Sequence, residues 1–94
     1  MRKLLDKIIK YRDERGWKDR DTPQALAKSI VIEAAELLEN YQWDDTNPDM
    51  ENVKEELADV LLYTLAMVAD LGLDPEAIIL EKIEKNNDKY PKIK

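Results

Sequence analysis

The stretches IVIEAAELL (residues 30–38) and EELADVLL (residues 55–62) decide the fold of this chain. Each stretch sets two carboxylates three residues apart within an otherwise apolar segment. Residues at this spacing are neighbours on a helix surface, with Cβ atoms about 5–6 Å apart. The pattern therefore predicts two helices that each carry an acidic pair beside an apolar face. The four acidic residues are Glu33, Glu36, Glu56 and Asp59.

Start and stop signals on either side of these stretches predict four helices. Thr22 and Asp74 are capping residues followed by Pro, which is common at the first helical position. Gly16 and Gly72 are of the type that ends a helix. We expect one all-α domain over residues 1–94, of the four-helix-bundle type and without strands. The predicted helices cover about residues 3–14, 23–42, 48–71 and 75–86.

Helical phase, at about 100° per residue, places the acidic pairs at the flanks of the apolar faces. Glu56, Asp59, Tyr63 and Asp70 follow one flank of the third helix. The short connection makes the second and third helices antiparallel neighbours, so that their acidic flanks can meet. The predicted apolar face of the third helix consists of Val53, Leu57, Leu61, Thr64 and Val68.

Two apolar residues, Ile32 and Leu62, are expected to point away from the main apolar face of their own helix. Because a monomer would expose them, they predict a subunit interface. A chain of 94 residues buries only a modest core alone, which also favours association. We therefore expect a homodimer or a homotetramer.

Composition excludes several classes of function. The net charge of −6 argues against a nucleic-acid polymer as partner, because phosphate backbones demand a basic face. A single nucleotide stays compatible, since a metal ion can offset its charge. Cys is absent, which removes thiolate chemistry. No stretch resembles a signal peptide or reaches the roughly 20 apolar residues that span a bilayer, so we expect a soluble, cytoplasmic protein without a membrane partner.

The acidic pairs can be interpreted either as ordinary solvated surface or as a metal site. Most Glu pairs at this spacing are solvated surface, but these lie among Ile, Val, Leu and Ala. Salt bridges within a helix explain neither pair, because the residue four positions after Glu36 is Asn40 and the residue four positions after Glu56 is Val60. Four carboxylates on packed helices repel one another unless a cation lies between them. His is absent, which excludes Glu-x-x-His di-iron sites, whereas oxygen ligands suit one or two Mg²⁺ or Mn²⁺ ions.

The chain resembles the MazG-like nucleoside triphosphate pyrophosphohydrolases, and most closely their short, single-domain members, which include the dCTP pyrophosphatases. The resemblance covers nearly the whole chain. The segments that carry it are ERGW (14–17), SIVIEAAELLE (29–39), YQW (41–43), EELADVLLY (55–63) and K-x-x-x-N-x-x-K-Y-P (82–91).

The resemblance implies a helical bundle that cleaves a nucleotide between its α and β phosphates, releasing the monophosphate and pyrophosphate. It implies Mg²⁺ held by the four carboxylates, and a site completed by the C-terminal segment, often from a neighbouring subunit. Lys82, Asn86 and Tyr63 match residues that contact the nucleotide. Trp17 and Trp43 match aromatic residues that stack on the base in the dCTPase-type members.

One position departs from that pattern. The dCTPase-type members carry a His shortly before the second helix, where this chain has Asp21. The Asp21 carboxylate accepts hydrogen bonds, whereas the imidazole at this position in those members can donate one. Base preference is therefore expected to shift toward bases with an amino group, or to relax.

A basic face is expected on the last helix. Lys82, Lys85 and Lys89 lie at positions i, i+3 and i+7, so they share a face if the helix extends that far. Such a face either compensates the helix dipole or offsets the charge of a bound polyanion.

The favoured reaction is metal-assisted hydrolysis of a nucleoside triphosphate. In the absence of His, a carboxylate such as Glu36, or a hydroxide held by the metal, is the expected base. The alternative is a non-catalytic helical module whose acidic flank holds a structural cation or a basic partner. A third hypothesis is an activity like that of phosphoribosyl-ATP pyrophosphohydrolases.

Overall fold

The computed structural model describes residues 1–93, which form five helices and no strand. The all-α prediction is confirmed for this range, but the prediction of four helices was wrong because it missed a short one. Lys94, the last residue of the predicted domain, lies outside the described residues. The helices are α1 (Arg2–Asp13), α2 (Trp17–Arg20), α3 (Pro23–Glu39), α4 (Met50–Asp70) and α5 (Pro75–Lys89).

Side-chain caps fix where the three long helices begin. The Thr22 hydroxyl accepts a hydrogen bond from the Ala25 amide at 3.2 Å, and Asp74 caps α5 in the same manner. The third predicted helix starts at Met50 instead of Pro48, because Asp49 is the capping residue and its carboxylate accepts from the amides of Glu51 and Asn52. Such caps satisfy amide donors that have no partner inside the helix.

The short helix α2 follows a left-handed turn at Gly16, whose φ is 65°. Glycine tolerates this conformation because it has no Cβ atom. The turn folds the chain back, so that the rings of Trp17 and of Tyr11 on α1 form a T-shaped pair with 5.5 Å between ring centroids. Helix α2 therefore places its side chains beside α1.

Helices α3 and α4 form the body of the fold, and α1 packs across α4. The amide of Asn40, at the end of α3, donates to Asn52 near the start of α4 at 2.9 Å, as an antiparallel pair requires. The core cluster consists of Ile8, Leu26 and Ala66, with Leu62 and Tyr63 packed against it. The expectation that a monomer exposes Leu62 was therefore wrong.

The apolar face predicted for α4 is only partly buried. Val53 and Val68 are buried, but Leu57 is 44% and Leu61 is 59% exposed. The carboxylate flank of α4 faces α3 instead, and this turns the two leucines outward. Ile32 of α3 is also exposed, as expected.

Helix α5 projects from this body and makes few contacts with it. The apolar side chains of Ile78, Ile79, Leu80 and Ile83 are all exposed, and residues 76–90 contain no buried side chain. The chain therefore leaves an amphipathic helix without a packing partner inside one copy. None of the helices in residues 1–93 has the length and apolar character needed to cross a membrane.

Candidate active site

A cluster of three carboxylates lies where α3 faces α4. Glu33, Glu56 and Asp59 each offer one oxygen, and these oxygens all lie within 4.8 Å of one another. The Oε2 atoms of Glu33 and Glu56 are buried without a hydrogen-bond partner in the described chain. No Lys or Arg within residues 1–93 forms an ion pair with this cluster. The site thus concentrates negative charge that no cation among the described residues neutralises.

The electrostatics of the cluster show how strongly its members interact. Burial raises the pKa of Glu33 to about 7, aided by contacts with Glu56 and Glu36 and by the charge of Asp59. Burial also raises the pKa of Glu56, and Glu36 and Asp59 act in the same direction. Carboxylates that share a site cannot all ionise freely. A bound cation would favour the ionised forms.

Glu36, the fourth predicted ligand, is half-buried one turn along α3 from Glu33. It does not belong to the tight group of three oxygens, but it raises the pKa values of both Glu33 and Glu56. Glu36 therefore borders the cluster, at a position that suits either a further ligand or a proton acceptor.

A cavity of about 260 Å³ opens beside the cluster, between α1, α2 and α4. Asp59 belongs to both, so a ligand in the cavity can reach the carboxylates. The other wall residues that bear on its chemistry are Tyr11, Arg12, Trp17, Arg20, Asp21 and Tyr63.

Two arginines that line this cavity form ion pairs with aspartates. Arg12 on α1 is buried and donates to Asp70 on α4 from two nitrogens. Arg20 pairs with Asp21 at 3.0 Å and lies over the Trp17 ring, with its Cζ atom 4.6 Å from the ring centroid. The Arg12–Asp70 pair is buried and fixes its two side chains at the cavity wall, whereas the Arg20 side chain is 60% exposed.

Tyr63 lines the cavity and lies near the carboxylates of Glu33 and Asp59. Burial, and next the negative charge of Glu33, raises the pKa of its hydroxyl. The hydroxyl therefore stays protonated at neutral pH and can donate a hydrogen bond to a phosphate or a sugar.

The two predicted base-stacking residues lie in different surroundings. Trp17 is half-buried and lines the cavity. Trp43, in the loop after α3, is 89% exposed and is not part of the cavity wall. Within one copy the structure therefore brings only Trp17 to the site.

The predicted basic residues lie on the projecting helix. Because α5 extends to Lys89, Lys82, Lys85 and Lys89 share a helix face. All three are exposed, and Asn86 is half-buried. Lys85 pairs with Glu81 at 3.3 Å. No α5 residue lines the cavity of the same copy, so a single chain does not bring them to the carboxylates.

Sequence reasoning missed Arg12 and Arg20. Arg12 had a detectable signal: Leu5, Ile8 and Arg12 share one face of α1, and that face is buried. A cation on an apolar face requires a buried partner, which Asp70 provides. Arg20 had no such signal, because its role follows from the short helix α2.

Comparisons with known proteins agree on one family. The model of the MazG-like family matches residues 28–94. The dCTP pyrophosphatase 1 proteins of mouse and human are each 33% identical to this chain over an alignment of 87 positions that covers 83% of this chain and 51% of theirs. The chain thus spans about half the length of these relatives. A crystal structure of a pyrophosphatase from Archaeoglobus fulgidus matches with a TM-score of 0.86 and 43% identity, covering 98% of this chain and 93% of that one.

Proposed function

This chain belongs to the MazG-like family, and on that premise we propose that it is a Mg²⁺-dependent nucleoside triphosphate pyrophosphohydrolase. It converts an NTP or dNTP to the monophosphate and pyrophosphate, as part of cytoplasmic nucleotide-pool house-cleaning. The observation that carries the proposal is the group of three carboxylates with two unpaired buried oxygens, beside a cavity walled by aromatic rings. The pyrophosphatase names of the relatives support the same reaction class.

The carboxylates fit a divalent cation. Glu33, Glu56 and Asp59 would hold it, with Glu36 as a further ligand. Hard cations prefer oxygen ligands, and two of these carboxylates have a buried oxygen without a hydrogen-bond partner among the described residues. When bound, Mg²⁺ supplies positive charge that offsets the negative charge of the phosphates; Mn²⁺ is the substitute of similar ligand preference.

The protein residues then divide the remaining work. Trp17 stacks on the base, and Tyr63 donates to a phosphate or sugar oxygen. One of the four carboxylates accepts the proton of the attacking water, and Glu36, which lies outside the group of three oxygens, would take this role when it does not bind the metal. The water oxygen bonds to phosphorus while the α–β anhydride bond breaks, and the pyrophosphate leaves with the bonding electrons.

A second copy of the chain would complete the site. The exposed surface of 7,637 Å² exceeds the roughly 5,600 Å² typical of a monomer of 11.0 kDa. Helix α5 contributes exposed isoleucines and leucine on the same element as Lys82 and Asn86. Docking this helix on a partner would bring Lys82, Asn86, Lys85 and Lys89 toward the partner's nucleotide, in a dimer or tetramer.

A pyrophosphate-release screen over the standard NTPs and dNTPs with Mg²⁺ tests this function. We expect turnover of at least one nucleotide, abolished by a chelator and by Asp59→Asn. Phosphoribosyl-ATP belongs in the same panel, because its cleavage would indicate the related activity. Absence of turnover across the panel would favour the non-catalytic helical module.

A further inference from the structure

Arg12 is a buried cation whose hydrogen-bond donors are only partly used. The residue is 5% exposed, and its Nη1 and Nη2 atoms donate to the two carboxylate oxygens of Asp70 at 2.9 and 2.8 Å. Its Nε–H group is buried and has no hydrogen-bond partner among the described residues. Buried donors without a partner are rare in proteins, because they lose their hydrogen bonds to water. The unpaired Nε–H therefore indicates an acceptor that residues 1–93 do not supply, such as a ligand in the adjoining cavity.

The shape of the guanidinium specifies that acceptor. The group is planar and rigid, and it carries five N–H donors. Because Nη1 and Nη2 share one carboxylate, they face Asp70 end-on. The Nε–H then lies parallel to the second N–H of Nη2, along the adjacent edge of the same plane. Such a donor edge matches two neighbouring acceptor atoms, as in the recognition of guanine O6 and N7 by Arg.

The cavity supplies the setting for such a ligand. Arg12 lines the same cavity as Trp17, which offers a stacking surface, and Asp21, which offers acceptor oxygens. Stacking holds a base of any identity, whereas hydrogen bonds to the base edge discriminate between bases. Arg12 is held rigidly by Asp70, so its donor edge is pre-oriented.

We propose that Arg12 is a specificity-determining residue that donates its Nε–H and Nη2–H to two adjacent acceptors of the nucleobase. The proposal rests on the proposed function, since the base belongs to the nucleotide substrate. Cytosine presents O2 beside N3, and guanine presents O6 beside N7. Adenine and thymine present no two adjacent acceptors. Cytosine and guanine also carry an exocyclic amino group that suits Asp21.

Arg12→Lys is the discriminating variant. Lysine keeps the positive charge and the ion pair with Asp70, but one ammonium cannot present a planar edge of two donors. We expect kcat/KM for dCTP and dGTP to fall about tenfold or more relative to dATP and dTTP, as the loss of a bidentate contact implies. Arg2→Lys is the matched control, because Arg2 lies on the same helix in an exposed pair with Asp6. It should leave the base profile unchanged.

Stability and binding measurements separate the outcomes. A lower melting temperature with an unchanged base profile would make Arg12 only a link between α1 and α4, and would overturn the inference. If no nucleotide is turned over, calorimetric titration of the same four nucleotides with Ca²⁺ decides. A preference for dCTP and dGTP that Arg12→Lys removes would support the inference even though the proposed function had failed. Equal binding of all four bases, or no binding, would overturn it.

Discussion

The buried oxygens of Glu33 and Glu56 link the charge of single residues to metal binding. Each Oε2 atom loses hydration where α3 packs against α4, and neither atom has a hydrogen-bond partner among the described residues. Near neutral pH the metal-free cluster therefore retains a proton that a solvated carboxylate would have lost, as the pKa of about 7 at Glu33 indicates. Metal ligands must be deprotonated. Cation binding should thus release protons from these carboxylates.

Isosteric substitution at the carboxylates should abolish hydrolysis while the helices stay folded. Asp59→Asn and Glu36→Gln keep side-chain size but remove the charge that holds the metal or accepts the proton. We expect pyrophosphate release to fall by at least about a hundredfold in each, with unchanged circular dichroism. Glu39→Gln is the matched control, because Glu39 continues the same row of α3 but is exposed. Substantial activity in either variant would remove that residue from the site.

The metal-free protein should lose stability through Glu33 as the pH rises from about 4.5 to about 7. The pKa of Glu33 is about 7 in the folded chain, against 4.5 for a solvated glutamate. The folded state therefore binds more protons than the unfolded state in this window, and the unfolding free energy falls as pH increases.

Melting temperatures in a chelator between pH 4 and 8 measure this effect. Glu33→Gln isolates it, because the glutamine cannot titrate. The melting temperature of the wild type should fall relative to that of Glu33→Gln as the pH approaches 8. Mg²⁺ should reverse that trend. A difference independent of pH would contradict the raised pKa.

At the scale of elements, the sequence predicted most where local chemistry decides the outcome. Thr22 and Asp74 begin helices as expected, because a capping side chain acts within its own turn. The exposure of Leu57 and Leu61 could not be read from the helical pattern. Which flank of α4 faces α3 depends on how the two helices share the core, and the flank that does so carries Glu56, Asp59 and Tyr63. Helix α2 has only four residues, too few for a periodic signal.

Helix α5 should contribute to nucleotide binding more than to the stability of the fold. Deletion from Asn87 onward removes Lys89 and a polar, exposed end of the helix, so the melting temperature should change little. KM should rise, because the cation at position 89 would no longer offset phosphate charge. Lys82→Ala should likewise raise KM or lower kcat. Wild-type kcat/KM in the truncated protein would show that the segment is only a tail.

At the scale of the whole molecule, a single copy is too extended for its length. The radius of gyration of 16.0 Å exceeds the roughly 12 Å expected for a compact domain of 94 residues. The apolar side chains left outside include Val31 and Ile32 on α3, Leu57 and Leu61 on α4, and the exposed face of α5. The size of this surface favours burial against another copy of the chain.

Mixing two impaired variants tests whether one subunit completes the site of the other. Asp59→Asn disables the carboxylate cluster, and Lys82→Ala disables the face of α5, so each variant alone should hydrolyse nucleotide poorly. If α5 acts on the partner, a mixed dimer contains one intact site, built from the Asp59 of one copy and the Lys82 of the other. Random exchange of equal amounts should then restore about a quarter of wild-type activity, since half the dimers are mixed and each has one intact site of two. If α5 acts within its own chain, every site stays defective and mixing restores nothing. Size-exclusion chromatography of the mixture, with subunits exchanged under mild denaturant and refolded, confirms that dimers have re-formed before activity is read.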